Sequence, residues 1–209
     1  MIEATGSTGI QFMRTGIFGG TFDPIHIGHL ILAEACREAC SLDLVQFVVA
    51  GEPPHKGKPR TTAKHRLEMV ELAIAGNNAF EASEIELSRP GPHYSYETLE
   101  LIAAERPGDE LFFLIGADSL ADLPGWRRPE SICELASLVV VNRPGIRPET
   151  ISDYQPPAGS KPFYQVTMPD VGIASRKIRQ KVADGQSVRY LVPRAVEMYL
   201  TQHGLYRNA

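Results

Sequence analysis

The chain has 209 residues, 43% hydrophobic and 22% charged, with a formal net charge of −4. This length can bury one core without disulfide staples, and the acidic balance excludes bulk attraction to nucleic acid or anionic membrane while allowing a local basic pocket. No apolar run approaches a membrane span. The three cysteines, Cys36, Cys40 and Cys133, form no metal-like cluster and fit a reducing, cytoplasmic setting in which Cys36 and Cys40 are small buried side chains.

Residues 1–12, MIEATGSTGIQF, lack the basic start and apolar stretch of a signal peptide and read as a flexible extension, with Met13 a second candidate start. RTGIF (14–18) reads as a strand. A helix over 28–40 follows, with Glu34, Arg37 and Glu38 on one face and Leu32, Cys36, Ala39 and Cys40 on the other. LVQFVVA (44–50) is a second strand, GEPPHKGKPR (51–60) a loop, and residues 62–75 a helix. EASEIELS (81–88) alternates like a strand with one exposed face, and YSYETLELIAAE (94–105) is helical. ELFFLIGAD (110–118) and ASLVVVNRPG (136–145) read as buried strands on either side of a short helix, SICEL (131–135). Residues 146–161 are a Pro/Gly/Ser-rich surface excursion, and helices are expected over 175–184 and 193–203. Alternating strands and helices predict an α/β fold: a Rossmann-like, doubly wound, mostly parallel sheet with helices on both faces and a C-terminal helical part. Ligands of such sheets bind at the carboxyl ends of the strands.

The stretch FGGTFDPIHIGH (18–29) sits at such an end. Gly19 and Gly20 permit a sharp turn and close approach of backbone N–H groups to a ligand, and the next helix brings its positive dipole end. His26 and His29 are three apart, so they share a side of the helix start, and Gly28 leaves room for an oxyanion. Imidazoles placed there can donate to phosphate oxygens and stabilise charge on a phosphorus under attack. The rivals are helix-capping histidines and a zinc pair, but zinc requires further ligands. The chain carries neither G-x-G-x-x-G nor a P-loop.

The motif GxFGGTFDPxHxGH resembles the signature of the HxGH nucleotidyltransferase superfamily. The string HIGH also occurs in class I aminoacyl-tRNA synthetases, but those are longer and carry a KMSKS-like loop, whereas GIASRKIRQ (172–180) resembles the ISSTxIR motif of adenylyltransferases. From about residue 13 to 207 the chain resembles bacterial nicotinate-nucleotide adenylyltransferases. The matching segments, in order, are TGIFGGTFDPIHIGHL, EPPHK, HYSYETL, LFFLIGADSLADLPGWRRPESI, VVVNRPG, IASRKIR and VRYLVPRAVEMYLTQHGLY.

The resemblance implies one nucleotidyltransferase domain over 13–209 that joins nicotinate mononucleotide to the AMP part of ATP, with Mg²⁺ carried on ATP. It implies that His26, His29 and Arg179 are catalytic. ATP would meet Gly19, Gly20, Thr21, Phe22, Gly28, Gly116, Asp118, Ile173 and Ser175. The carboxylate of Asp118 has helix capping as its plainer role. The mononucleotide would meet Lys56, Ser95, Thr98, Trp126, Arg127 and Arg143, with the indole stacked on the pyridine ring; Lys56 and Arg143 read equally as surface cations. His55 and His93 are left as loop histidines. Ala174 and Arg176 depart from ISSTxIR, which removes one hydroxyl and leaves Arg176 either a substitute or part of a solvated face. No metal ligands, nucleic acid or membrane partner are expected, and the protein is expected to be a monomer or homodimer. Alternatives are another acceptor, nicotinamide mononucleotide or phosphopantetheine, or a nucleotide-binding module without turnover.

Overall fold

β-Branched and aromatic runs build a parallel sheet through the centre of the molecule. The computed structural model describes residues 12–52, 59–142 and 154–207. Its strands are β1 (Arg14–Gly20), β2 (Leu44–Val49), β3 (Phe80–Ser83), β4 (Glu110–Gly116), β5 (Ser137–Asn142) and β6 (Phe163–Thr167). They pair in the order β3-β2-β1-β4-β5-β6, and every pairing is parallel. β2 is buried along its whole length, as a strand covered on both faces must be.

The helices are α1 (Ile27–Ala39), α2 (Ala63–Ile74), α3 (Ser95–Glu105), α4 (Ala117–Asp122), α5 (Pro129–Leu135), α6 (Ser175–Ala183) and α7 (Arg194–Gln202). Two apolar clusters cover the two faces of the sheet. One gathers Leu32 and Cys36 of α1, Met69 and Val70 of α2, Ile178 of α6 and Val196 and Leu200 of α7. The other gathers Leu99 and Ile102 of α3, Leu120 of α4 and Ile132 of α5. Each such aliphatic side chain contributes about 1.5–3 kcal/mol by leaving water. The fold is therefore doubly wound, and its strand order reverses between β1 and β4, where the crevice of such a sheet opens.

Four local expectations change. ELFFLIGAD ends as a strand at Gly116, and its last two residues start α4. The alternation of EASEIELS yields a strand only to Ser83; Leu87 and Ser88 then bond back to the Glu84 carbonyl in turns. Ala39 lies exposed rather than on the buried face of α1. β6 is a strand that no apolar run announces: only Val166 of its five residues is buried. Among the described residues no helix is long and apolar enough to cross a membrane.

Candidate active site

β1 ends in two glycines with different surroundings. At Gly19 a Cβ would meet nothing within 4 Å, whereas at Gly20 it would lie 2.6 Å from Cζ of the Phe22 ring. Gly20 thus admits the Phe22 ring, while Gly19 leaves the crevice floor open. Phe22 has φ +48°, a left-handed conformation that costs a non-glycine residue roughly 1–2 kcal/mol. Burial of its ring among Phe18, Phe47 and His29 offsets that cost. The turn continues through a cis Asp23–Pro24 peptide to His26, which occupies the N-cap position of α1.

His26 and His29 stack, with ring centroids 3.6 Å apart and planes 15° from parallel. The backbone N–H of His26 donates to His29 Nδ1 at 3.2 Å, so in the neutral ring the proton resides on Nε2. His29 lines the crevice, whereas His26 is only 4% exposed behind it. A Cβ on Gly28 would come within 3.1 Å of His26 Nδ1, so the glycine between the histidines serves the His26 ring. Capping and ligand-facing roles coexist here: the pair closes the helix start and one ring still reaches the crevice.

Asp23, 4% exposed, ties this turn to distant segments. Its Oδ1 accepts from Thr61 Oγ1 at 2.8 Å and from the Tyr206 hydroxyl at 2.6 Å, and its Oδ2 from the Arg60 backbone N–H at 2.7 Å. Arg179 of α6 donates from Nη1 to the Asp23 carbonyl at 2.6 Å, and Ser175 Oγ donates to the Pro24 carbonyl at 2.9 Å. Arg66, buried in α2, braces the turn by donating from Nη1 to the carbonyls of Thr21 and Ala50 at 2.9 and 2.6 Å. Burial pulls the Arg66 pKa below its ordinary range, with the Asp23 charge opposing. Ala174 is the N-cap of α6 and offers no capping side chain; Arg176 and Lys177 are exposed, and Arg176 does not reach the crevice. Arg176 therefore belongs to the solvated face.

The opposite wall comes from α3, α4 and the segment before α5. Gly116 is the N-cap of α4, so Asp118 sits in its first turn rather than capping it, a favourable place for a carboxylate. Trp126 packs edge-on against Phe113 with centroids 6.3 Å apart. The guanidinium of Arg127 lies 4.8 Å from the Tyr94 ring centre, and that of Arg128 lies 4.6 Å from the Tyr96 ring centre. Thr98 Oγ1 donates to Glu86 Oε1 at 2.8 Å, while Glu86 Oε2 accepts from the Gly51 N–H at 3.1 Å. His93 is a buried brace rather than a loose loop residue: its Nδ1 accepts from the Glu52 N–H at 3.0 Å and its Nε2 lies 3.1 Å from the Arg89 carbonyl. The crevice between these walls encloses about 640 Å³, within the range of small-molecule sites.

This arrangement has close counterparts among known proteins. The cytidylyltransferase-like family model matches residues 17–181. A protein of Thermomicrobium roseum named probable nicotinate-nucleotide adenylyltransferase is 48% identical over 93% of this chain and 92% of its own length. One of the same name from Thermus thermophilus is 47% identical over 93% of this chain and all of its own. The chain belongs to the nicotinate-nucleotide adenylyltransferase family. The fold agrees: a Plasmodium falciparum nicotinic acid mononucleotide adenylyltransferase, solved in complex with NaAD, superposes with a TM-score of 0.77 over 93% of this chain and 97% of its own at 17% identity.

Within this adenylyltransferase scaffold, Gly19, Gly20, Thr21, Phe22, His29, Ser95, Thr98, Gly116, Asp118, Trp126, Arg127, Ser175 and Arg179 line one crevice. His26 and Gly28 stand behind it, and Ile173 packs on the core. Lys56, His55 and Arg143 lie outside the described residues, as do residues 1–11 of the extension expected over 1–12. Sequence reading gives no role to Asp23, Arg60, Arg66, Glu86 and Tyr206, and reads His93 as a loop histidine. Asp23 carries a signal as the one carboxylate within FGGTFDPIHIGH, and Tyr206 as the last residue of VRYLVPRAVEMYLTQHGLY. Among the described residues no group of three or more His, Cys, Asp or Glu side chains is arranged to hold a metal ion.

Proposed function

We propose that the enzyme transfers the adenylyl group of ATP to nicotinate mononucleotide, giving nicotinate adenine dinucleotide and pyrophosphate. The observation that carries this reading is the meeting of His29, Ser175 and Arg179 with the open floor at Gly19, opposite Trp126, Ser95 and Thr98, at the β1/β4 reversal. One wall offers donors for phosphate; the other offers an indole face for a flat heterocycle.

ATP lies along the β1 turn, with its phosphates over Gly19, Gly20 and Thr21 and its adenosine toward Gly116 and Asp118. Ser175 and Arg179 hold the leaving phosphates. The acceptor rests against Trp126, with Ser95, Thr98 and Arg127 around it; Lys56 and Arg143 are assigned to its phosphate. An oxygen of the acceptor phosphate attacks the α-phosphorus in line. The new P–O bond forms as the bond to the β-phosphate oxygen breaks, and pyrophosphate leaves with that electron pair. His29, with its proton on Nε2, donates to the charge that develops, and His26 holds its ring in place through the backbone bond and the stack. Phe22 lines this wall, and Gly28 and Ile173 shape it from behind. Catalysis is positioning and charge neutralisation, with no covalent intermediate. Magnesium enters with its substrate, as Mg²⁺–ATP. We assign the reaction to one domain over 13–209, in the cytoplasm, acting as a monomer or homodimer without nucleic acid or membrane.

The test is pyrophosphate release by purified protein with Mg²⁺–ATP and each of nicotinate mononucleotide, nicotinamide mononucleotide and phosphopantetheine. Clear preference for the first is expected. Preference for another acceptor would overturn the substrate assignment, and absence of release with all three would overturn the reaction.

A further inference from the structure

The wall that carries Arg179 is completed by the last residue of the segment VRYLVPRAVEMYLTQHGLY, Tyr206. Tyr206 lies 183 residues from Asp23 in sequence, yet its hydroxyl donates to Asp23 Oδ1 at 2.6 Å. It holds this position at φ +63°, a conformation disfavoured for tyrosine. Burial, with the Asp23 hydrogen bond, pushes the Tyr206 hydroxyl well above its ordinary range, so it remains a donor. Two further donors, Thr61 Oγ1 and the Arg60 N–H, take up the same carboxylate. Three of the roughly four acceptor positions of this carboxylate are thereby taken. It works as a clamp, and what it clamps is the peptide whose carbonyl receives Arg179 Nη1 at 2.6 Å.

We infer that Tyr206 and Asp23 are positioning residues for Arg179, so that the phosphate-binding wall is complete only when the C-terminal turn is docked on the β1 turn. The inference rests on the functional reading above. Nη1 is anchored on the Asp23 carbonyl and lies 3.9 Å from Asp23 Oδ2, which narrows the orientations open to the guanidinium, and a planar fork is useful to phosphate only in the correct plane. Pro59 and Arg60 also line the crevice, so the same carboxylate joins the segment after β2 to the arginine on α6.

The test is Tyr206→Phe, which keeps the ring and leaves Asp23 Oδ1 its bond from Thr61. Affinity for Mg²⁺–ATP is measured by calorimetry without acceptor, and kcat and KM with acceptor. We expect the Kd for Mg²⁺–ATP to rise about tenfold, the worth of one hydrogen bond to a charged group, with a matching fall in kcat/KM and an unchanged KM for the acceptor. In an Arg179→Ala background the same change should add less than about twofold, because the residue acts through Arg179. Thr61→Val removes a second donor from the same oxygen and should move affinity in the same direction, which keeps the test sound if Tyr206→Phe folds poorly. Wild-type affinity in both single variants, or an equal loss with and without Arg179, would overturn the inference. A wrong acceptor assignment would show as missing pyrophosphate release with Mg²⁺–ATP affinity intact, and leaves this test standing. Failure of the wild-type protein to bind Mg²⁺–ATP would overturn both.

Discussion

On the wall formed by the β1 turn and α6, the polar groups are bonded to backbone: buried Asp23 holds an N–H of the 59–61 segment, buried Arg66 holds two carbonyls, and half-buried Arg179 holds a third. On the facing wall Asp118, Arg127 and Arg128 stand in solvent, and the two arginines are steadied by tyrosine faces rather than by buried partners. Buried hydrogen-bonded networks lose heavily when one member is removed. Exposed cation–ring contacts are worth about 0.5–1 kcal/mol and shift easily. The molecule thus holds the β1 turn by buried backbone bonds, and leaves the exposed segment around Arg127 adjustable on a base braced by Thr98, Glu86 and His93.

That contrast can be broken by substitution. The largest effect should come from His29→Ala, which under the proposed mechanism removes a donor from the developing charge: turnover is expected to fall about 10²–10³-fold, with a melting temperature lower by about 2–4 °C for the lost cap on the His26 N–H. Near-normal turnover would remove the histidine from the mechanism. Next in size is Arg66→Met, which leaves the Thr21 and Ala50 carbonyls without their donor. Stability should drop by about 2 kcal/mol, seen as a melting temperature lower by roughly 4–8 °C; an unchanged melting curve would mean that the brace is not rigid.

On the other wall, Trp126→Ala should raise the KM for the acceptor up to about tenfold, the upper range for an aromatic contact, while Mg²⁺–ATP affinity stays at the wild-type value. Loss of ATP affinity in that variant would show that the walls are not separate. The effect that is smallest near neutral pH concerns Cys36, whose thiol burial pushes from 9.0 up to about 12. The folded thiol keeps its proton where the unfolded one loses it, so this site's contribution to stability is full below pH 9 and falls as pH rises toward 12. Comparing alkaline unfolding of Cys36→Ala with that of wild type checks the sign: the variant should show the shallower decline.

Much of this molecule was legible in one dimension. The strand–turn–helix at FGGTFDPIHIGH depends on contacts a few residues long, and the buried strands carry continuous apolar runs. β6 escaped because one buried valine makes no pattern, and α4 because its Ala117 continues the apolar run of β4. EASEIELS looked like a full strand, but Glu86 turns inward to meet the Gly51 N–H and Thr98, partners that local alternation cannot announce.

The alternating fold and the glycine turn with its paired histidines are written in neighbouring residues. That Gly20 serves the Phe22 ring, that Gly28 serves His26, and that Asp23 draws Thr61, Arg179 and Tyr206 together emerges only once the chain is packed. Those arrangements depend on which distant donors reach a buried acceptor, and a buried polar group takes whichever partner the packed chain brings within hydrogen-bonding distance.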